Sequence, residues 1–230
     1  MIAVRIVAAG DAVLIAEFDD RIDVSVNAQA IALADQLGLA AVRGVRDIVP
    51  TFRSVAVHFD PLATDVGELA TRMHAASAYA EHPALAAVVD VPVCYDREFA
   101  PDLDEVAHAA GLSRDEAIAV HAGRDYRVFM LGFLPGFAYL GSVDARIAAP
   151  RRFEPRLAVP AGAVGIAGLQ TGIYPQQSPG GWNIVGRTPL RMAWLDRPQP
   201  TRLKAGDAVC FRVIGRSEFD RIATEEERAA

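Results

Sequence analysis

Lysine is almost absent from this chain: Lys204 is the only one among 230 residues, although lysine and arginine together number 23. That shortage excludes a GxxxxGK[ST] phosphate loop and any Schiff-base or paired-lysine chemistry that needs a second amine. Cysteine is scarce too. Cys94 and Cys210 lie far apart, each inside an apolar strand-like run, so buried free thiols are expected rather than a disulfide or a metal site. The histidines are scattered without ligand spacing, so no metal site is predicted. There is no GxSxG elbow and no assignable serine, histidine and carboxylate set. No apolar run reaches about 18 residues, and no basic segment precedes an apolar stretch at the start, so a membrane span and a secretory signal are not expected and the chain reads as cytoplasmic. The net charge of -6 argues against nucleic acid, which needs clustered cations.

Hydrophobic residues make up 52%, enough for one large core or two small ones. The first part alternates in the manner of half-buried strands at residues 2–7 and 12–18, then at RDIVP and SVAVHFD. One helix is predicted from about Val24 to Leu37, capped by Asp23 and stopped by Gly38. A second starts near Thr64 with Val66, Leu69, Ala70 and Met73 on one stripe. This order predicts an α+β domain of ferredoxin-like split-βαβ type over residues 1–84.

A strand at residues 88–95 opens the second domain, residues 85–230, and two short helices near 102–122 follow. Asp102 is the predicted N-cap of the first, which Gly111 closes; Ser113 and Glu116 form a capping box for the second, which Gly123 ends. The pair has the outline of a helix-turn-helix, but acidic residues stand where phosphate contacts need donors. Beyond Tyr126 short strand-like runs (YRVFML, AVGIAG, WNIVG, LRMAWL, AVCFRVI) alternate with Gly and Pro turns, which predicts a barrel or sandwich with no further helix and a frayed acidic tail.

The stretch Met130 to Leu190 is dense in Gly and Pro yet carries Phe133, Phe137, Tyr139, Tyr174 and Trp182, which marks a built surface rather than a linker. In Ser178-Pro179-Gly180-Gly181-Trp182 two glycines can turn N–H groups toward an anion, with Trp182 as a wall; a tight turn with Trp182 in the core fits equally well. Gln170, Thr171 and Tyr174 are expected on a loop, where their polar groups would orient a small amide or acid or cap the turn, the latter somewhat favoured for Thr171. Arg187 suits a carboxylate or phosphate, whereas Arg151, Arg152 and Arg156 are expected to be solvated. His121, in the last turn of its helix, is expected to cap it in the charged form, with a site role as the lesser reading.

GDAVLIAEF, DVPVCYDREFAPDL, HAGRDYRVFMLGFLPGFAYLG, PRRFEPRLAVPAGAVGIAGLQTGIYPQQSPGGWNIVGRTPL and AGD at 205–207 together closely resemble the family of the 5-oxoprolinase B subunit, also called allophanate hydrolase subunit 1 or the kinase inhibitor KipI. The resemblance covers nearly the whole chain. It implies an α+β domain followed by a cyclophilin-like β-barrel, and work in a complex with the 5-oxoprolinase C subunit (allophanate hydrolase subunit 2 family) and the A subunit. That complex cleaves 5-oxo-L-proline to L-glutamate with ATP, magnesium being the expected counter-ion. A five-membered lactam is a stabilised amide, and phosphorylating its oxygen would open its carbonyl carbon to water. Gln170, Arg187 and His121 are then the candidates for chemistry, and Thr171, Tyr174, Ser178, Gly180, Gly181, Trp182, Phe133 and Tyr139 for substrate binding. The resemblance also admits inhibition of a sensor histidine kinase, or a component of a urea or allophanate amidohydrolase. One departure is Ala100, where the family usually has glycine; standing before Pro101, it is expected to be tolerated.

Overall fold

In the computed structural model the described residues are 4–78, 88–194 and 196–229, and the chain forms two compact units, residues 1–86 and 87–230. The expected boundary at 84/85 lies outside the described residues.

The first unit is a four-stranded antiparallel sheet, β1 (Arg5–Ala8), β2 (Val13–Glu17), β3 (Val45–Pro50) and β4 (Ser54–Phe59), with helices α1 (Val24–Leu39) and α2 (Val66–Ala78). The strand order is β1-β2-β4-β3. Strands β2 and β3, joined through α1, therefore run parallel with β4 between them, which is the split βαβ expected. Alternation placed the core correctly: Val55, Val57 and Phe59 are buried together with Leu69 and Met73 of α2. Val66 is exposed instead, and α2 is started by Asp65, whose carboxylate accepts from the Glu68 N–H at 2.8 Å. Asp23 caps α1 as predicted, but the helix runs through Gly38 and ends at Ala40, with Ala41 taking the left-handed φ of 43°.

The second unit is a closed barrel of seven strands, β5 (Val88–Cys94), β6 (Asp125–Leu131), β7 (Ala138–Gly141), β9 (Ala163–Ala167), β10 (Gln170–Ile173), β12 (Asn183–Arg187) and β13 (Ala208–Ile214). A separate ribbon pairs β8 (Arg156–Val159) with β11 (Ser178–Gly180). The first and last barrel strands, β5 and β13, lie side by side in parallel; the other neighbours are antiparallel. The barrel after an α+β unit is the fold class expected from sequence. The helices α3 (Leu103–Ala109) and α4 (Arg114–Ala122) share the barrel's core through Leu103, Val106, Ala107 and Ala117. Ala100 is buried in that core and does not adopt a left-handed φ, so its place before proline is unstrained.

Four expectations fail here. Among the described residues of LRMAWL, only an isolated bridge at Ala193 forms, and the acidic tail is not frayed: it belongs to α5 (Arg216–Arg228). Phe219 stacks on Phe99 with centroids 4.4 Å apart, and Glu226 receives two bonds from Arg202, so the helix is held from both ends. Nor does Asp102 cap α3 with its side chain. Its Oδ1 accepts from Arg152 at 2.9 Å and Arg156 at 2.7 Å, and its Oδ2 from the Ile184 N–H at 2.6 Å. Two of the three loop arginines are thus anchored rather than solvated. A buried carboxylate with strong donors nearby serves a guanidinium pair better than a helix end.

Outside the barrel wall, a second apolar cluster joins Phe137, Tyr174, Trp182, Val159 and Ile184. Gly165 and Gly172 are register partners on β9 and β10 and leave a hollow in the wall. Trp182 fills it: a Cβ on Gly172 would lie 3.0 Å from its ring, and one on Gly165 equally close to its Cβ. Gly180 has the same role for Tyr174, whose hydroxyl would be 2.4 Å from an added Cβ, whereas Gly181 has no neighbour nearer than 3.8 Å. Gly180→Ala is therefore expected to cost about 1–3 kcal/mol by overpacking and Gly181→Ala much less. Thermal denaturation of the two variants checks this, and equal losses would refute the packing role.

Candidate functional site

The structure divides the predicted site residues among three places. The first is the barrel interior. Thr171 lies in strand β10, not on a loop, and is fully buried, as is His121 at the end of α4. The Thr171 hydroxyl donates to the Gly165 carbonyl at 3.0 Å, so it accepts from His121 Nε2 at 3.0 Å, and the Tyr95 hydroxyl donates to Nδ1 at 2.8 Å. This one-way chain fixes the neutral Nε2–H tautomer. His121 also stacks on Phe211, with centroids 4.9 Å apart. Burial lowers its pKa to about 3 and pushes that of Tyr95 far above the usual phenol value. The expected charged cap is thus corrected: desolvation outweighs the helix dipole, and His121 is a satisfied core residue closed off from any ligand in this conformation.

The second place is the outer aromatic cluster. Neither Gly180 nor Gly181 has a left-handed φ, so they do not form an anion-binding nest of alternating hand. The Ser178 hydroxyl donates to the Pro179 carbonyl at 3.2 Å. Ser178, Tyr174 and Trp182 are all buried. Two aromatic residues form the accessible rim. Tyr139 is half-buried, and burial raises its hydroxyl pKa while Arg151 opposes the shift. Phe133 is 62% exposed, meets Phe137 edge-on, and holds a φ of 66°, a conformation that costs a non-glycine residue about 1–2 kcal/mol.

The third place is a cleft of about 650 Å³ against α5. Arg187, at the end of β12, lines it with Gln176, Gln177, Thr188, Arg191, Asp196, Glu226 and Glu227. Its Nε donates to the Ala161 carbonyl at 2.8 Å, and its guanidinium carbon lies 5.7 Å from the Phe99 ring and 5.9 Å from the Phe219 ring. Burial pulls its pKa below the usual arginine value, with Glu98 opposing. Gln170 is half-buried at the start of β10, opposite Gly141 and Ala167, and alternation turns it away from the interior that Thr171 faces. The α5 side of the cleft escaped the sequence reading, yet Phe219, Ile222, Ala223 and Glu226 recur at helical spacing and could have revealed it. Cys94 is buried and Cys210 half-buried, both as free thiols. Among the described residues no group of three or more His, Cys, Asp or Glu could hold a metal ion, and no helix is long and apolar enough to cross a membrane.

The His121 chain has a measurable pH signature. Because the folded state keeps His121 neutral down to about pH 3, against 6.5 for the free group, the unfolded chain binds more protons in that interval. The stability due to this group is complete above pH 6.5 and is lost as pH falls toward 3, at up to ~1.4 kcal/mol per pH unit. Urea denaturation across the interval is expected to show a shallower acid loss for His121→Gln than for the parent, and parallel curves would contradict the buried neutral histidine.

Comparison with known proteins agrees with this architecture. The family described as "Carboxyltransferase domain, subdomain C and D" matches residues 4–203. A protein of Bacillus subtilis (strain 168), named as the B subunit of 5-oxoprolinase, is 39% identical over 232 residues, covering 95% of each chain. The crystal structure of TTHA0988 superposes with a TM-score of 0.80 at 36% identity, over 88% of this chain and only 40% of that longer one. The urea amidolyase of K. lactis, at 20% identity and a TM-score of 0.76, shares the fold over 97% of this chain and 16% of its own. With a match this long to the carboxyltransferase subdomains and this close to a full-length relative, the chain belongs to the family of the 5-oxoprolinase B subunit.

Proposed function

We propose that this chain is the B subunit of an ATP-dependent 5-oxoprolinase, which opens 5-oxo-L-proline to L-glutamate together with its A and C subunits. The likeness to a 5-oxoprolinase B subunit over 95% of both chains is the observation that carries the reading. The site geometry adds the division of labour. The polar groups inside the barrel are neutral and bonded to one another, leaving no nucleophile and base paired there for hydrolysis. What the chain offers outward is binding surface: Arg187 in its cleft, Gln170, and the aromatic rim of Phe133 and Tyr139.

The cleft does not suit ATP. Glu226 is paired with Arg202, so Arg187 and Arg191 face Asp196 and Glu227, two cations against two anions, and a magnesium triphosphate would meet no net positive charge. The nucleotide and its magnesium are assigned to the partner proteins, and this chain holds part of a site that a partner completes.

Turnover of 5-oxo-L-proline, followed as glutamate and phosphate release, tests the reading. None is expected from this chain alone, and turnover is expected once the A and C subunits are added. Combined Gln170→Ala and Arg187→Ala changes are expected to lower kcat/KM of the complex at least tenfold, about 1.4 kcal/mol. Robust activity from the chain unaided, or an inactive mixture of all three proteins, would overturn it.

A further inference from the structure

The cleft beside Arg187 has a charge pattern that neither a simple anion nor a simple cation matches. Arg187 spends its Nε on the Ala161 carbonyl and forms no ion pair among the described residues, while the neighbouring Phe99 and Phe219 rings hold its fork without neutralising it. Arg191 gives its Nε to the Ala193 carbonyl at 3.0 Å and is likewise without a carboxylate partner for its side chain among the described residues. Of the three acidic residues in the cleft, Glu226 is already engaged. Arg202 donates to it at 2.7 and 2.8 Å, and the Arg191 backbone N–H does so at 3.0 Å. Asp196 and Glu227 form no ion pair among the described residues.

Two guanidinium groups and two carboxylates therefore share one cleft without pairing with each other. A ligand with anionic groups alone would meet Asp196 and Glu227, and a cation alone would meet both arginines. A small molecule with an ammonium and two carboxylates answers both sets at once, through charge-assisted hydrogen bonds to the half-buried Arg187 and the exposed Arg191, Asp196 and Glu227. The volume of about 650 Å³ falls in the usual range of small-molecule sites, and Gln176 and Gln177 add amide donors and acceptors.

We propose that this cleft binds an acidic α-amino acid, with its carboxylates on Arg187 and Arg191 and its ammonium toward Asp196 and Glu227. The ligand class follows from the charges alone. Its identification as L-glutamate rests on the proposed function, in which ring opening creates the ammonium that the lactam lacks. The cleft then distinguishes product from substrate, because the lactam nitrogen is uncharged.

Isothermal titration of the full chain with L-glutamate, N-acetyl-L-glutamate and 5-oxo-L-proline tests the proposal. L-Glutamate is expected to bind at least tenfold more tightly than either of the others. Arg187→Gln should weaken it at least tenfold, with Arg187→Lys in between because it keeps the charge and loses the fork. The double change Asp196→Asn and Glu227→Gln should bring L-glutamate down to the level of its N-acetyl derivative, a readout independent of whether the Arg187 variants fold. Equal binding of the three compounds, no heat with millimolar L-glutamate, or an unchanged affinity in the double variant would overturn it. An active complex in which this chain fails to bind glutamate would sink only this proposal, whereas glutamate binding beside an inactive complex would sink only the functional reading.

Discussion

The carboxylate of Asp102 ties the second unit together. Its backbone N–H donates to the Ile184 carbonyl at 3.0 Å while its Oδ2 takes the Ile184 N–H, so the start of α3 is locked onto barrel strand β12. Its Oδ1 takes Arg152 and Arg156, which brings in β8 and the loop before it. The ribbon that covers Trp182 and Tyr174 is thus held by the same residue that holds the helix pair. Removing one partner of such a buried pair typically costs about 3–5 kcal/mol, far more than an exposed ion pair is worth.

This arrangement separates polar groups that packing requires from those left for a ligand. Inside the barrel, Tyr95, His121 and Thr171 pass hydrogen bonds in one direction to the Gly165 carbonyl and carry no charge. A partly satisfied network in that low-dielectric space would be expensive, so its completeness is what a structural role demands. Outside, Trp182 rests on the Gly165 and Gly172 pair, and the Gly-rich segment is consumed in bringing aromatic rings close to backbone. Among the described residues, Arg187, Arg191, Asp196 and Glu227 form no ion pair and line the cleft where α5 meets the end of β12.

Much of the fold was legible in the sequence because local rules and tertiary packing agreed. The alternation of SVAVHF, the Asp23 cap and the box of Ser113 with Glu116 all hold in three dimensions. The misses came where a distant partner changed the outcome. Asp102 has the chemistry of an N-cap, but two guanidinium groups far along the chain compete for the same oxygens. The last helix carries so many charges that it read as a solvated tail, until Phe99 and Arg202 supplied its docking surface. The site was less legible than the fold. Gln170, Thr171 and Tyr174 are close in sequence, yet strand alternation turns Thr171 inward and Gln170 outward, and Tyr174 is sealed under Gly180.

By itself the sequence determined the two-part architecture, the short helix pair and the family, because hydrophobic period, capping residues and the long Met130 to Leu190 stretch are properties of neighbouring residues. Only the tertiary structure decided which polar residues remain open to a ligand. His121 and Arg187 were both candidates for chemistry, His121 the weaker; one is closed inside the barrel and held neutral, the other lines a cleft and forms no ion pair among the described residues. The reason is that burial and pairing are set by residues brought together from opposite ends of the chain, and a pattern read along the chain does not contain that distance.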